Sequence, residues 1–213
     1  MMKITKYIFL FIALFISNEF YAQNANQAKA CLDKATAAII SHKGGVQACF
    51  SISKLGLGGT SGTVAIKGNK FMAVTRQASI WFDGKTQWTY MKSTNEVNIS
   101  TPTEAQRLSV NPYSIISMYK NGYTLSMTTK RGQKVAHMVA KNQKRSVPEA
   151  YITLSGNQLK QIKMRQGSKW TTIKITSIVP KNLSNSMFQF DRKQYPKAEI
   201  IDCLLYTSPS PRD

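Results

Sequence analysis

Residues 62–91, with the sequence GTVAIKGNKFMAVTRQASIWFDGKTQWTYM, constrain the fold of this chain more than any other segment. They are rich in valine, isoleucine, threonine and aromatic residues, which favour β-strands, and turn residues interrupt them at Gly68-Asn69 and Asp83-Gly84. An Asp-Gly pair between two alternating runs is the strongest short-range signal for a β-hairpin. The segment therefore predicts three or four short antiparallel strands in succession, with one apolar face.

The rest of the chain adds one amphipathic helix and more strands. Apolar residues recur at three- and four-residue steps in residues 24–43, which predicts a helix that ends at Gly44 and Gly45. Residues 46–52 alternate between apolar and polar side chains, which is typical of a half-buried strand. The same reasoning predicts further strands at residues 97–100, 123–130, 134–141, 149–154, 158–165, 169–178 and 187–190, and an edge segment at 196–201.

Two short helices are predicted between the two series of strands. Pro102 and Pro112 suit the first turns of helices over residues 103–110 and 112–120, because proline fits the first helical position. The order of elements is then one helix, several antiparallel strands, a helical pair and more strands. This order is typical of the α+β class with one large sheet, and not of alternating βαβ units.

The two ends of the chain are not expected to belong to the folded domain. Residues 1–22 have two early lysines, an unbroken run of ten apolar residues at 7–16 and Ala22 at a cleavage position, which predicts a secretory signal peptide. The apolar run is shorter than the roughly 20 residues that span a membrane. Residues 203–213, CLLYTSPSPRD, resemble the translation of a sequencing-library adapter, and we expect them to be non-native. The expected domain covers residues 23–202 of an exported, soluble protein.

The chain is strongly basic, with 29 basic and 10 acidic residues. The two predicted end segments hold three of the basic and two of the acidic residues, so residues 23–202 keep 26 and 8, a formal charge of +18. Such a charge is compatible with contact with an anionic lipid surface, with an acidic protein partner, or with a solvated surface that binds nothing. The export signal and the lack of a recognised nucleic-acid-binding motif argue against a nucleic-acid partner.

The sequence contains no constellation of residues that predicts catalysis. Its histidines are His42, at the end of the predicted helix, and His137, in a predicted strand, and its carboxylates are scattered. It has no GxSxG, HExxH or phosphate-binding loop motif. We therefore expect no enzyme activity, no catalytic residue, no metal and no cofactor. A structure that joined His137 to a carboxylate would favour an exported enzyme instead.

Cys31 and Cys49 lie on the predicted helix and on the strand that follows it. In an exported protein this pair could form a disulfide bond that joins the helix to the sheet, or it could remain two buried thiols. The sequence leaves both alternatives open.

Most predicted strands place bulky apolar residues on one face. One sheet with three helices offers limited cover for so much apolar surface, so we expect an apolar hollow beside an ordinary core. The nine methionines of the chain suit an adaptable pocket, because the methionine side chain is flexible. The residues expected to line this hollow are Val64, Ile66, Ile80, Phe82, Trp88, Tyr90, Leu125, Met127, Ile162, Met164, Ile173 and Ile175.

Two segments of the strand-rich stretch also resemble a known family. IKGNKF at residues 66–71 and FDGKTQWTY at 82–90 are similar to the paired signature of the LolA-type lipoprotein carriers, an Asn-x-Phe strand followed by an S-D-G-K-T-x-W-x-Y hairpin. The general layout fits residues 24–202. Before Asn69 this chain has Lys67-Gly68, where the carriers place an arginine and a proline. The match is closest at Asp83, Gly84, Lys85, Thr86, Trp88 and Tyr90.

The resemblance implies a single incomplete, half-open antiparallel β-barrel whose concave face is covered by the N-terminal helix and the inserted helical pair. It implies a monomeric periplasmic chaperone that shields the acyl chains of lipoproteins in an apolar cavity and carries them from the inner to the outer membrane. Phe71 would line the mouth of that cavity, and Ile115, Ile116 and Met118 would belong to a movable lid.

The partners implied by the resemblance are acylated lipoproteins, an inner-membrane transporter that releases them and an outer-membrane acceptor. Transient contact with an anionic membrane surface is also expected, because the domain is basic. One alternative remains open. A domain of the same fold could bind another amphipathic lipid or a structural partner in the cell envelope, without transferring lipoproteins.

Overall fold

The computed structural model describes residues 23–54, 59–102 and 118–202. Over these ranges the chain forms one N-terminal helix, α1, at residues 23–40, and a single sheet of twelve strands. The predicted combination of a helix with one large, mostly antiparallel sheet is confirmed. The strands are β1 (Val46–Lys54), β2 (Gly59–Lys67), β3 (Lys70–Thr75), β4 (Ala78–Phe82), β5 (Gln87–Met91), β6 (Glu96–Ser100), β7 (Tyr123–Lys130), β8 (Gln133–Ala140), β9 (Glu149–Ser155), β10 (Gln158–Gln166), β11 (Lys169–Pro180) and β12 (Glu199–Asp202).

Two antiparallel meanders make up the sheet. One runs from β1 to β6 and the other from β7 to β11, and they join where β11 pairs with β1. Strand β12 then adds to the outer side of β6 as a parallel neighbour. Among the described strands, β12 and β7 form the two edges, so the sheet is open and does not close into a barrel.

The sheet is strongly curved around α1. Neighbouring strands lie about 4.8 Å apart, so a flat sheet would separate β4 from β7, eight strand spacings away, by about 38 Å. Helix α1 has 18 residues and is only about 27 Å long, yet Phe82 of β4 and Met127 of β7 are both buried in the apolar cluster that contains its side chains. The sheet therefore has a concave face, which α1 covers, and a convex face on the other side. The α1 side chains in this cluster are Ala28, Leu32, Ala35 and Ile39, which recur at three- and four-residue steps.

Polar contacts attach α1 to β7 near its N-terminal end, and to the turn before β7 just past its middle. The Asn24 side-chain amide donates a hydrogen bond to the Met127 carbonyl oxygen at 3.1 Å, and the Asn24 side-chain oxygen accepts one from the Met127 N–H. The Tyr119 hydroxyl donates to the Asp33 carboxylate, which also pairs with Lys29 at 2.7 Å. The helix is thereby held to β7, the first strand of the second meander and an edge of the sheet.

The two turns of the strand-rich stretch lie in contact with each other. The Asp83 carboxylate accepts hydrogen bonds from the backbone N–H groups of Lys85 at 2.9 Å and Thr86 at 2.8 Å, which fixes the turn between β4 and β5. Gly84 has a φ of +107°, and a Cβ atom there would lie 2.7 Å from the Asn69 side-chain nitrogen. The predicted hairpins are confirmed. The two turns lie so close together that glycine is favoured at position 84.

Residues 181–198 cross the convex face of the first meander before the chain enters β12. The Lys67 Nζ donates a hydrogen bond to the Leu183 carbonyl oxygen at 2.6 Å. Phe188 is fully buried in a small apolar cluster with Leu183 and with Ala65 of β2. This C-terminal segment therefore covers part of the convex face, and Lys67 is engaged there and not on the concave side.

The C-terminal segment differs from its prediction. A strand was expected at residues 187–190, but Asn185–Phe188 forms a 3-10 turn, so this prediction is wrong. The Gln189 N–H donates a hydrogen bond to the Ser186 carbonyl oxygen at 3.2 Å, so the backbone turns back on itself here, and Phe188 packs in one cluster with Leu183 and Ala65. The edge predicted at 196–201 is confirmed, as β12.

Several predictions fall outside the described residues. They are the signal peptide at residues 1–22, the tail at 203–213 and the inserted helical pair, of which only the 3-10 turn Met118–Lys120 is described. Within the described part of the chain, no helix has both the length and the apolar character needed to cross a membrane.

Candidate apolar binding site

The concave face brings together most of the residues that the sequence predicts to line a hollow. Ten of them are buried in one cluster with α1, and Ile80 and Leu125 are partly buried against it. Their contact with a ligand stays a prediction. The ten buried residues are Val64, Ile66, Phe71, Phe82, Met118, Met127, Ile162, Met164, Ile173 and Ile175.

Phe71 lies within this buried concave cluster and not at the mouth of a cavity. Its side chain is fully buried, and its ring centroid lies 5.4 Å from that of Phe82. Met118, expected in a lid, is buried in the same cluster. The other two expected lid residues, Ile115 and Ile116, lie outside the described residues.

Trp88 and Tyr90 lie on the convex face, which corrects their predicted place in the hollow. Across the hairpin, Trp88 pairs with Trp81, whereas the concave-facing Phe82 pairs with Gln87. Directly opposite residues share a face, so Trp88 and Tyr90 stand on the side away from α1. Alternation within β5 shows that the two share a face, but only the register across the turn decides which face it is.

Cys31 and Cys49 are free thiols on opposite sides of the sheet. Cys31 packs against the concave cluster, and its sulfur lies 3.6 Å from the Lys134 Nζ. Cys49 follows Ala48 and precedes Phe50 in β1, and both of these neighbours belong to the concave cluster. Cys49 therefore faces the convex side. A bond between the two sulfurs would have to pass through the sheet, so this fold excludes the disulfide alternative.

An open groove with a volume of about 380 Å³ lies at the C-terminal end of α1, between the helix and strands β10 and β11. Its volume is in the range of small-molecule ligand sites. The groove adjoins a smaller pocket of about 20 Å³ whose lining is entirely apolar. The groove therefore leads from the surface towards the concave cluster. The residues that line both spaces are Ile39, Leu159, Ile175 and Ile178.

Sequence analysis predicts only part of this groove. Val64, Ile66 and Ile175, which line the groove or its inner pocket, are among the predicted residues. Ile39 and Leu159 are not. Ile39 belongs to the apolar stripe of the predicted helix, but that stripe does not show which strands it meets. Leu159 shares the concave face with Ile162 because the strand register shifts between Leu159 and Gln161, and simple alternation along β10 would place the two on opposite faces.

The mouth of the groove is polar and basic. His42 at the end of α1 and Lys160 of β10 line it, together with Asn157 and Gln158. No acidic side chain occurs among its described lining residues. An apolar floor with a basic rim suits an amphipathic ligand, because the apolar part is buried while the polar part stays at the surface.

Asp33 connects α1 with the chain that enters β7. Its carboxylate accepts hydrogen bonds from the Lys29 Nζ at 2.7 Å and from the Tyr119 hydroxyl. These two hydrogen bonds, with Lys29 the stronger cause, hold the pKa of Asp33 below its ordinary value, although burial acts in the opposite direction. Neither Asn24 nor Asp33 lines the groove, so the last turn of α1 is held by apolar packing, as at Ile39, and not by these polar contacts.

A second hollow, with a volume of about 600 Å³, lies on the convex face beside the C-terminal segment. The Trp81 ring centroid is 5.6 Å from that of Phe190 and 5.7 Å from that of Tyr195, and Tyr90 is 4.6 Å from Tyr195. Burial, and to a smaller extent the neighbouring Tyr90, raises the pKa of Tyr195. Exposed polar residues such as Gln189 also line this hollow, so it is less apolar than the groove.

A cluster of titratable side chains occupies the convex face of the second meander. The His137 Nε2 lies 3.0 Å from the Glu149 Oε1, and the Tyr151 hydroxyl donates to the same oxygen at 2.9 Å. The Arg165 Nε lies 3.4 Å from the Glu149 Oε2. Burial raises the pKa of Glu149, but hydrogen bonds from Tyr151 and His137 outweigh it and leave the pKa below its ordinary value.

This cluster joins His137 to a carboxylate, the arrangement that would favour an enzyme. It lies on an exposed sheet face and lines neither of the two hollows. All three of its contacts donate to the carboxylate or pair with it, so Glu149 is a satisfied acceptor. Within the described ranges, no group of three or more histidine, cysteine, aspartate or glutamate residues could hold a metal ion.

The sequence profile of a family described as "Outer membrane lipoprotein carrier protein LolA" matches residues 18–168 of this chain. Among solved structures, an uncharacterized conserved protein from Thermus thermophilus is similar with a TM-score of 0.52 and 13% identity, over 83% of this chain and 99% of that chain. A LolA superfamily protein from Nitrosomonas europaea has a TM-score of 0.45 and 12% identity, over 77% and 98% of the two chains. No curated protein sequence matches the chain.

Proposed function

This chain belongs to the LolA family of outer membrane lipoprotein carrier proteins, and we propose that it carries acylated lipoproteins with their acyl chains against the concave face of the sheet. The observation that supports this proposal is the groove at the C-terminal end of α1. It opens at a basic rim and leads to the apolar concave cluster.

The energy of acyl-chain burial explains why such a carrier needs an apolar interior. Each buried CH₂ group contributes about 0.8 kcal/mol, so a lipoprotein with three acyl chains would need on the order of tens of kcal/mol to cross water unprotected. A carrier must cover most of that surface and must also release it. Binding therefore has to be reversible, with the empty state stabilised by contacts that replace those of the cargo.

The groove is too small for a whole triacyl group, so loading requires a movement of α1. A volume of about 380 Å³ lies near the lower limit of sites that hold drug-sized ligands. The polar contacts that α1 makes with β7 and the turn before it are at Asn24, near its N-terminal end, and at Asp33, just past its middle, and none lies in its last turn. We propose that the groove end of the helix moves away from β10 and β11 during loading, while the other end stays attached.

The cluster beneath α1 is suited to this change. Four of its buried side chains are methionines, whose flexible thioethers adapt to new neighbours at small cost. In the empty state the side chains of α1 cover the apolar cluster, and in the loaded state the acyl chains of the cargo would cover it. The four residues are Met118, Met127, Met138 and Met164.

The location and partners of the protein follow from the same proposal. A signal peptide at residues 1–22 would export the chain to the periplasm. There it would receive lipoproteins from an inner-membrane transporter and deliver them to an outer-membrane acceptor. The protein would act as a binding protein without enzyme activity or cofactor.

One observation favours the alternative of a different lipid cargo. The groove as it stands could hold the tail of a single amphipathic molecule without any movement of α1. In that case the protein would bind an envelope lipid or another amphipath, and lipoproteins would not be transferred.

A titration with a fluorescent triacylated lipopeptide tests the proposal. Ala38 is exposed and lines the groove, so Ala38→Trp fills the mouth without entering the buried core. We expect this variant to bind the lipopeptide at least tenfold more weakly than the unchanged protein. Ala37→Trp is the matched control, because Ala37 is also exposed on α1 but does not line the groove.

Three outcomes separate the possibilities. Weakened binding in Ala38→Trp alone supports the carrier proposal. Binding of a single-chain lipid but not of the triacylated lipopeptide supports the alternative cargo. Equal binding by both variants, or no binding of any lipid by the unchanged protein, contradicts a ligand site in this groove.

A further inference from the structure

The basic charge of the chain is concentrated in its second meander. Residues 123–180, which contain β7 to β11, hold 11 of the 29 basic residues but only one of the 10 acidic residues, Glu149. The rest of the chain holds the remaining 18 basic and 9 acidic residues. Residues 123–180 therefore have a net charge of +10 over 58 residues, whereas the other 155 residues of the chain together have a net charge of +9.

Part of this charge lies on the convex face. In β10 and β11 the concave positions are taken by residues such as Ile162 and Ile173, so their neighbours Lys163 and Lys174 face the other side. Lys130 at the end of β7 shares that side, because Met127 is concave and Lys130 lies three positions further along the strand, an odd offset. All three lysines are exposed.

Aromatic rings stand between these lysines on the same face. The His137 and Tyr151 rings are stacked with centroids 4.3 Å apart and an angle of 1° between them, and Tyr151 lies 5.9 Å from Trp170. The Lys163 Nζ lies 4.9 Å from the centre of the Trp170 ring. The face thus presents a row of half-exposed rings beside lysine side chains.

The one acidic residue of this half-sheet does not neutralise the lysines. Glu149 is engaged by His137, Tyr151 and Arg165, and no lysine in β7 to β11 forms an ion pair among the described residues. Because no described carboxylate pairs with these lysines, the convex surface of β7 to β11 keeps their positive charge.

No described element covers this face. Helix α1 packs on the concave side, and the C-terminal segment contacts β3 and β4 of the first meander. The exposed side chains of the face are mainly lysine, serine and threonine, and Val179 is its one strongly exposed large apolar residue among those described. Stable protein interfaces have a more apolar centre than this, whereas charge and interfacial aromatic rings match a lipid headgroup layer.

We infer that the convex face of β7 to β11 docks on an anionic lipid surface. Lysine and arginine side chains are attracted to the negative potential of such a surface, and tryptophan and tyrosine rings prefer the headgroup region. The face opposite α1 would lie against the membrane, so the groove would remain accessible from the side of the sheet. This inference does not depend on which cargo the groove binds.

Sedimentation with lipid vesicles tests this inference on the whole purified protein. We expect binding to vesicles that contain phosphatidylglycerol, weaker binding as salt is added, and little binding to vesicles of phosphatidylcholine alone. The triple variant Lys130→Gln, Lys163→Gln, Lys174→Gln should bind the anionic vesicles at least tenfold more weakly, because it removes three charges from the face.

A second triple variant controls for net charge. Arg76→Gln, Lys85→Gln, Lys193→Gln removes three exposed charges from the other half of the molecule and should retain most of the binding. An equal loss in both triple variants would show that only total charge matters and would overturn the inference. So would equal binding to neutral vesicles, or no binding to vesicles by the unchanged protein, which would leave an acidic protein as the partner of this face.

The lipopeptide titration separates this inference from the proposed function. The triple variant at Lys130, Lys163 and Lys174 should bind the triacylated lipopeptide as well as the unchanged protein, since none of its positions lines the groove. Retained lipopeptide binding also shows that the variant is folded, so a loss of vesicle binding is then due to the removed charges.

Discussion

At the scale of single residues, Gly45 is the point where α1, β1 and the C-terminal segment meet. It has a φ of +97°, and its carbonyl oxygen accepts a hydrogen bond from the Lys181 N–H at 2.9 Å. A Cβ atom at this position would lie 2.6 Å from the Ile66 carbonyl oxygen. The left-handed conformation and the closeness of backbone from β2 both require glycine here.

We predict that Gly45→Ala lowers the free energy of unfolding by about 2–4 kcal/mol, because it adds a clash with backbone to the strained φ. Gly132→Ala is the control. Gly132 also has a positive φ, +74°, but nothing lies within 4 Å of a Cβ atom there. The control should cost about 1 kcal/mol in urea denaturation. Equal losses in the two variants would show that the contact with Ile66 does not matter.

The Asp33 contacts predict a pH dependence of stability. Hydrogen bonds from Lys29 and Tyr119 hold the pKa of Asp33 below its ordinary value in the folded state. A depressed folded pKa stabilises the protein above the unfolded pKa, and this contribution is lost as the pH falls through the folded value. Urea denaturation should therefore show Asp33→Asn to be less stable than the unchanged protein at neutral pH.

The difference between the two proteins should become smaller as the pH falls through the folded pKa of Asp33, which lies below the ordinary aspartate value, because the carboxylate is then protonated in both states. Tyr119→Phe removes one donor to the same carboxylate and should reduce stability with the same pH dependence. A difference between Asp33→Asn and the unchanged protein that stays constant from neutral to acid pH would contradict this role of the ionised carboxylate.

At the scale of elements, the C-terminal segment stabilises the convex face of the first meander. Phe188 is fully buried in a cluster with Leu183 and Ala65, whereas its neighbour Met187 is 37% exposed. We predict that Phe188→Ala lowers the free energy of unfolding by about 3–5 kcal/mol, the usual cost of removing a buried phenylalanine. Urea denaturation measures this loss.

Met187→Ala is the matched control and should change stability by less than about 0.5 kcal/mol, since it lies at the surface. If Phe188→Ala lowered the free energy of unfolding no more than this control does, the C-terminal segment and the convex cluster would not contribute to the stability of the fold.

The sequence predicts most elements because each has a local pattern of its own. The stripe in residues 24–43 predicts α1, and the alternation in residues 123–130 predicts β7 with the observed bounds. Predictions fail where contacts with another element determine the local structure or the face on which a side chain lies. The 3-10 turn at Asn185–Phe188 depends on packing against β2, and the face of Trp88 depends on the register across the β4–β5 turn.

The candidate site is less predictable than the elements for the same reason. The motif that carries the family resemblance fixes turns: Asp83 binds the backbone of its own turn, and Gly84 packs against Asn69. It therefore predicts the fold and not the ligand contacts. Ile39 and Leu159 become neighbours of the groove only when the sheet curves around α1, and no local pattern contains that curvature.

At the scale of the whole molecule, the two faces of the curved sheet differ in the residues that they present and in the roles that we propose for them. The concave face gathers apolar residues from both meanders around a single helix. The convex face is covered by the C-terminal segment on the first meander and keeps lysines and aromatic rings on the second. A carrier of this design would bind cargo on one side and approach a membrane with the other.

Photo-crosslinking with a triacylated lipopeptide that carries diazirine groups in its acyl chains would locate the bound acyl chains on the protein. If they lie against the concave face, crosslinks are expected to α1, β10 and β11 at the groove, in particular at Ile39, Leu159 and Ile178, as mapped by mass spectrometry of the digested protein. Crosslinks confined to the convex hollow, at Phe190 and Tyr195, would contradict the claim that the concave face holds the acyl chains.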